Sequence, residues 1–557
     1  MSLNLYRTQR HNSASCHGRI MPESRRMNTV PPPRAAALLG CACVVSASVA
    51  IAASGPASAA ASSRAPRPSG SWTVYHGDPA GSGNARAVRS VNVRARAWTS
   101  PNLDGQIYGQ PLVLDRLVYV ATENNTVYAL SAATGAVRWS RHIGKPVPAS
   151  SLACGNISPT VGITGTPVID PARHEIFVVA DEFTGGRPAH VLVGLDTRTG
   201  RPMLTRRVDP PGQDPAAILE RTGLTLTRGS VVFGFGGNFG DCSTYRGRLV
   251  AVPEAGGTPS FFTVAAASDT SKGAIWMGGA APAVDGNGNL WVSTGNSTIT
   301  SPGHPYDNSD GTLELSPSLR LLQYWAPRSW PADNAGDIDF SAVPALLPNG
   351  QVVQAGKSGR VFLLDGGHLG GVGGEQAKLA SACDADIDGG VAVSGTTVFL
   401  PCLSGIVAVR ASASPPRLRL LWKSGTGGGP PIIAAGLVWT IGQDGNLYGL
   451  DPATGTTRKQ VHIGVPANHF PTPGVGDGLL LAACAQNVVA FAAAGTGAAH
   501  AATQTPRPST SCTYTAPAPA PPVSKRAIAV VAALTLAGLV IIAIVALVLL
   551  RRLSRAR

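Results

Sequence analysis

A short apolar tetrapeptide followed by a turn recurs eight times along the chain, and no other feature of the sequence narrows the fold as far. The tetrapeptides end at Leu130, Leu195, Val252, Leu315, Leu364, Val409, Leu450 and Phe491, and several run into a Thr-Gly turn. Successive ends lie 65, 57, 63, 49, 45, 41 and 41 residues apart. Between them stand further apolar runs, such as 117–120, 176–179 and 437–439, each preceded by Gly, Asp or Asn. Short runs rich in β-branched and aromatic residues, bounded by turn formers, read as strands. A period near 40–50 residues is that of a four-stranded propeller blade, with the longer early intervals leaving room for loops. Solenoid units are shorter, and a sandwich does not repeat eight times. The expected fold class is all-β, an eight-bladed β-propeller. The segment 71–99 has strand character but no tetrapeptide of its own, and is expected to complete the final blade. The 66 glycines and 45 prolines suit a protein made of turns.

Outside the repeat, both ends read as targeting and topology segments. Arg25, Arg26 and Arg34 precede an apolar run over 35–53, and Ala57-Ser58-Ala59 supplies a small-residue cleavage pattern, so residues 1–59 are expected to be a signal peptide with an N-terminal extension. Residues 527–550 carry no charge over 24 positions, enough for a transmembrane helix. Arg551, Arg552, Arg555 and Arg557 follow, which predicts a cytoplasmic tail over 551–557 and an extracellular globular part. The propeller is assigned to 60–495 and a Pro/Ala-rich linker to 496–526. These ends also hold most of the net charge of +14, with six arginines against Glu23 in 1–59 and six basic residues in 525–557. The remainder is close to neutral, which argues against a nucleic-acid partner.

Cys154, Cys242, Cys383, Cys402, Cys484 and Cys512 remain beyond the leader. An even count outside the membrane points to disulfides, with fifteen pairings open. Cys383 and Cys402 bracket a strand-turn-strand run and Cys484 and Cys512 bracket the last strand and its exit, so these two pairs are expected, leaving Cys154 with Cys242. No Cys/His spacing suggests zinc.

The strings VYVATENNTVYALSAATGAVRW and LVWTIGQDGNLYGLDPATG resemble the PQQ-like β-propeller repeat of quinoprotein alcohol dehydrogenases and of non-catalytic assembly scaffolds. The resemblance covers about 71–495 and implies the quinoprotein type of propeller. GAIWMGGAAPAVDGNGNLWVSTGN is similar to the family string whose tryptophan stacks on the quinone and whose asparagine binds calcium, which implies those roles for Trp276 and Asn296. GDIDF resembles the string with the catalytic aspartate, implying Asp337 as base and metal ligand, and VVQAGKSGRVFLLD implies Lys357 at the quinone. The chemistry agrees: a planar ring needs an aromatic platform, a hard cation oxygen ligands, a substrate hydroxyl a base. Two parts of the pattern are missing. The stretch 236–242 holds no glutamate where the family keeps a calcium ligand, and no adjacent cysteines occur to cover the quinone. A CxxCH haem site is absent as well.

The reading that follows is a membrane-tethered, extracytoplasmic binding or scaffold propeller for an extracellular protein or cell-wall partner, with no cofactor. The alternative is a PQQ- and calcium-dependent dehydrogenase oxidising alcohols or sugars outside the cell.

Overall fold

Each recurring tetrapeptide is the third strand of an antiparallel sheet. The computed structural model describes residues 70–495 except 469, and within them eight such sheets follow one another in chain order. Blade 1 is formed by Leu112–Leu114, Leu117–Ala121, Thr126–Ser131 and Val137–His142. Blades 2 to 8 begin at Val168, Ile218, Ala283, Ala345, Ala392, Ile432 and Gly474. The apolar runs between tetrapeptides are the second strands. The expected leader (1–59), linker (496–526), span (527–550) and tail (551–557) lie outside the described residues, as does Cys512. Among the described residues, no helix is long and apolar enough to cross a membrane.

The tetrapeptide is more than a buried strand. In blades 1, 2, 4, 6 and 7 the pairing with the fourth strand slips by one residue at its last two positions, Ala129/Leu130, Gly194/Leu195, Glu314/Leu315, Ala408/Val409 and Gly449/Leu450. A bulge at a fixed place adds twist and aims the following turn the same way in each blade.

Three of those turns receive a tryptophan from the preceding blade. Trp98, Trp139 and Trp422 donate their indole N–H to the carbonyls of Ala132, Thr197 and Pro452 at 2.8, 2.9 and 3.0 Å. The ring then lies over Gly135, Gly200 or Gly455, whose backbones have φ of +71°, +69° and +74°. Both facts demand glycine: the left-handed backbone disfavours a side chain, and at Gly200 a Cβ would lie 2.6 Å from the indole of Trp139. At the interface of blades 4 and 5 a different arrangement serves, with the fully buried Trp325 tilted against Phe362 at 4.8 Å between centroids.

The N-terminal segment closes the ring, though only part of it does so as expected. Val88–Asn92 and Trp98–Thr99 pair antiparallel with Asn487–Gly495 and act as the fourth strand of blade 8. Residues 70–85 do something the sequence did not reveal: they lace the inner edges of the first strands. Trp72 exchanges backbone hydrogen bonds with Val113 in blade 1, Thr73 accepts from Ile169 in blade 2, Pro79 from Val284 in blade 4, Ser82 from Val393 in blade 6 and Gly83 from Ile433 in blade 7. Asn84–Ala85 then runs parallel to blade 7. First strands are sheet edges, and the lacing satisfies backbone groups that would otherwise face the axis unpaired. Gln110 ties the lace down, accepting from the Trp72 indole and the His76 backbone and donating to Pro473 O.

Because strands alternate in direction, the connections between second and third strands and those between blades emerge on one face, here termed the loop face. Two disulfides staple it: Cys154–Cys242 joins the connection of blades 1 and 2 to a loop of blade 3, and Cys383–Cys402 joins the connection of blades 5 and 6 to blade 6. Both pairs are those expected.

Gly200→Ala is expected to cost about 2–4 kcal/mol, combining the left-handed backbone penalty with overpacking against Trp139. Gly185→Ala, at φ +62° with open space around it, should cost only about 1 kcal/mol. Urea unfolding of the two variants side by side measures the difference, and equal midpoints would remove the indole docking from the account of stability.

Candidate functional site

Three of the four residues that the resemblance implicates meet on the loop face, carried by three different loops. Trp276 lies in the connection from blade 3 to blade 4, Asn296 in the long loop of blade 4, and Lys357 in the tight loop between Gln351–Ala355 and Val361–Asp365 of blade 5. Trp276 is fixed by its indole N–H, which donates to Gly237 O at 3.0 Å. The Lys357 ammonium stands 5.9 Å from the centre of the Trp276 ring, within cation–π range.

The carboxylate at the centre of this group is Asp339, not Asp337. Asp339 is 1% exposed; its Oδ2 is 2.5 Å from Lys357 Nζ and its Oδ1 accepts the Asn296 backbone N–H at 2.7 Å. Asp337 reaches Lys357 at 3.5 Å, but its side chain is 68% exposed. The reason is local. Trp330–Gly336 forms a short helix with Pro331 in its first turn, and Asp337 is its left-handed cap at φ 55°, donating its N–H to Asp333 O. Aspartate tolerates that conformation, so a polar residue ends the helix and turns outward. Two residues on, Asp339 enters the inter-blade connection beside the buried Phe340. In GDIDF, that neighbouring aromatic was the signal for choosing the second aspartate.

Four further residues complete the cluster and carry no motif. Asn334 on the helix pins the Asn296 loop, accepting from Ser297 N at 2.7 Å and donating to Ile299 O at 2.6 Å. Arg360 pairs with Asp333 at 2.7 Å and holds the helix. Asp310 is fully buried with neither carboxyl oxygen hydrogen bonded. Burial, reinforced by Asp339 and Asp333, pushes its pKa well above the ordinary aspartate value. Asp388, which accepts from Ser341 Oγ, is raised by burial to about 6. Burial disfavours the Lys357 ammonium, but Asp339 and then Asp337 more than offset it and raise its pKa.

These residues supply part of what calcium and a quinone need. Asn296 Oδ1 is a buried acceptor with no hydrogen-bond partner, the condition of a waiting ligand atom. The strand that would bring a third oxygen does not: Asn238 donates to Ala216 O, Phe239 is 58% exposed, and Asp241 is engaged by Lys272 at 3.3 Å and by the Tyr245 hydroxyl. Lys357 already neutralises Asp339. Among the described residues, the connections beside this group also touch one another. A Cβ on Gly389 would lie 2.8 Å from Pro430, and one on Gly278 would fall inside the Gly389 backbone. The set does not complete a quinone and calcium site.

The same face buries a second group of acids in blades 1 to 3. Glu123, accepting from Gly162 N at 2.7 Å and Thr164 Oγ1 at 3.1 Å, is raised by burial to about 7. Asp181 is raised by burial to about 6 beside His190, whose Nε2 and Nδ1 lie 3.3 Å from Asp181 and 2.8 Å from Asp209. Burial opposes protonation of His190, but the two aspartates outweigh it and raise its pKa.

Comparison with known proteins supports the fold. A family model described as outer membrane protein assembly factor BamB matches residues 84–302, while no curated protein matches the sequence. The quinohemoprotein alcohol dehydrogenase ADHIIG from Pseudomonas putida HK5 is similar in structure at 14% identity and a TM-score of 0.56, over 79% of this chain and 82% of that one. The quinohemoprotein alcohol dehydrogenase from Comamonas testosteroni is similar at 16% identity and 0.56, over 80% and 83%. A europium-containing methanol dehydrogenase is similar at 13% identity and 0.55, over 76% and 98%. Such identities speak for the eight-bladed fold alone.

Asp339→Asn should destabilise by about 1–3 kcal/mol by removing a buried carboxylate that serves both Lys357 and the Asn296 backbone N–H, whereas Asp337→Asn should stay within about 0.5 kcal/mol, as at an exposed site; the order of their unfolding midpoints decides which aspartate the cluster depends on. Stability should also fall as pH rises from about 5 to about 8. The raised carboxyls of Glu123, Asp181 and Asp388 bind more protons folded than unfolded, so their contribution is full below the unfolded pKa values and lost through about 6–7; the raised His190 adds a loss of the same sign above the ordinary histidine pKa. Melting temperature against pH tests this, and a rise over that window would contradict it.

Proposed function

We propose that this chain is an extracytoplasmic, membrane-tethered propeller that acts as a binding or scaffold module through its loop face, without catalysis and without a resident quinone or metal. The observation that carries the reading is the ion pair between the half-buried Lys357 and the buried Asp339, 2.5 Å apart where the resemblance expects cofactor chemistry. The pair balances its own charge, so the Lys357 ammonium and the Asp339 carboxylate are each committed to the other and not to a quinone. The tether rests on the uncharged stretch 527–550 and the arginines after it, and the partner class is an extracellular protein or a cell-wall component. Protease added to intact cells should then remove the propeller and spare a fragment containing the span.

The second reading is the PQQ- and calcium-dependent dehydrogenase for alcohols or sugars. It is favoured by the convergence of Trp276, Lys357 and Asn296, and by the unpartnered Asn296 Oδ1.

Titration of the full-length protein in detergent with PQQ and Ca²⁺, followed by quinone absorbance and calorimetric heat, separates the two. No binding is expected. Binding at micromolar levels or tighter that Trp276→Ala abolishes would overturn the scaffold reading in favour of the dehydrogenase.

A further inference from the structure

We infer that Arg221 is the receptor for a carboxylate-bearing ligand on the loop face, at a position distinct from the Trp276–Lys357 cluster. Arg221 lies in the break between Ile218–Glu220 and Thr225–Thr227, the two short strands that open blade 3, and is only 9% exposed. Its guanidinium carbon stands 5.8 Å from the Tyr108 ring, in the connection of blades 8 and 1, and 5.4 Å from the Phe470 ring, in the connection of blades 7 and 8. A Cβ on Gly279, in the connection of blades 3 and 4, would fall on the guanidinium itself, so glycine there makes room for it. Connections from around the ring thus converge on one cation.

What that cation lacks is an acceptor. Among the described residues the guanidinium makes no hydrogen bond and no ion pair. The nearby acids lie within electrostatic reach but not within hydrogen-bond distance: Glu123 accepts from Gly162 and Thr164 through one oxygen and Glu220 from Thr222 through one, and the second oxygen of each is buried without a hydrogen-bond partner. Aromatic faces return part of the cost of burying a guanidinium, but they leave its N–H edge unsatisfied. A planar carboxylate fits that edge with two parallel hydrogen bonds. A phosphate dianion fits less well, because Arg221 is a single charge with Glu123 and Glu220 within electrostatic reach. The body of the ligand has a place alongside: a cleft of about 220 Å³ shares Tyr108 as a wall and is otherwise lined by Gln106, Asn156, Ser158, Val465 and Pro466 among others. Neutral polar groups and small apolar ones suit a peptide end or a small monocarboxylic acid.

The inference deepens the binding reading above and rests on it. Calorimetry on the full-length protein in detergent would compare N-acetyl-alanine with N-acetyl-alaninamide, and a tripeptide acid with its C-terminal amide. Each acid is expected to bind and its amide not. Arg221→Lys should weaken the acid about tenfold, as when a bidentate fork is lost, and Arg221→Met should abolish it. Binding of the tripeptide acid alone would assign a peptide terminus, and binding of both acids a small carboxylate. Equal heats from acid and amide, no heat from any of the four probes, or acid binding unchanged in Arg221→Met would overturn the site. The acid–amide comparison uses the unaltered protein and so survives a variant that fails to fold. Failure here would leave the scaffold reading standing, whereas PQQ binding lost in Trp276→Ala would overturn that reading and leave this comparison intact.

Discussion

A sheet with two apolar faces must be covered on both, so a row of such sheets has no stable end until it closes on itself. The blades here are of that kind: the second and third strands of blade 1, 2 or 7 are buried almost without interruption. Closure leaves one set of backbone groups unprovided for, the inner edges of the first strands, and the N-terminal lace meets that need in five blades before the chain turns outward to finish the eighth. The indole contacts then fix how far one blade can rotate against the next, because each joins a ring, a carbonyl and a glycine that admits no side chain.

The parts of this arrangement that repeat were legible in the sequence, and the parts that occur once were not. Eight tetrapeptides at a regular interval announce eight third strands whatever the loops between them do. The bulge at their ends leaves no trace, since a slip of one residue is made by backbone geometry and not by residue type. The lace over 70–85 was hidden because its partners are single residues of different blades, a pattern with no period. At the site, the residues named by the strings, Trp276, Asn296 and Lys357, come together, and the aspartate buried among them is Asp339, two residues after the Asp337 that the string implied. The short helix ending at Gly336 makes the first aspartate of GDIDF a cap and gives the second the buried position.

Charge on the loop face is unevenly managed. Around Lys357 the acids are numerous, and one of them, Asp310, has its pKa raised by burial and by its neighbours. Around Arg221 one guanidinium stands between two rings, with Glu123 and Glu220 within electrostatic reach but not hydrogen bonded to it. The two disulfides of the described residues lie on this same face, so loops that carry these groups are held by covalent bonds, whereas the turns of the opposite face are held by docked indoles.

The pairing of residues 84–99 with 433–495 also sets an order of events in time. The stretch that leaves the ribosome first among the described residues is the stretch whose partners leave last, so seven blades can be complete while the seam stays open. During synthesis the seam has to wait, its backbone groups served by water. The last blade to be made is the one that tells the first residues where to go.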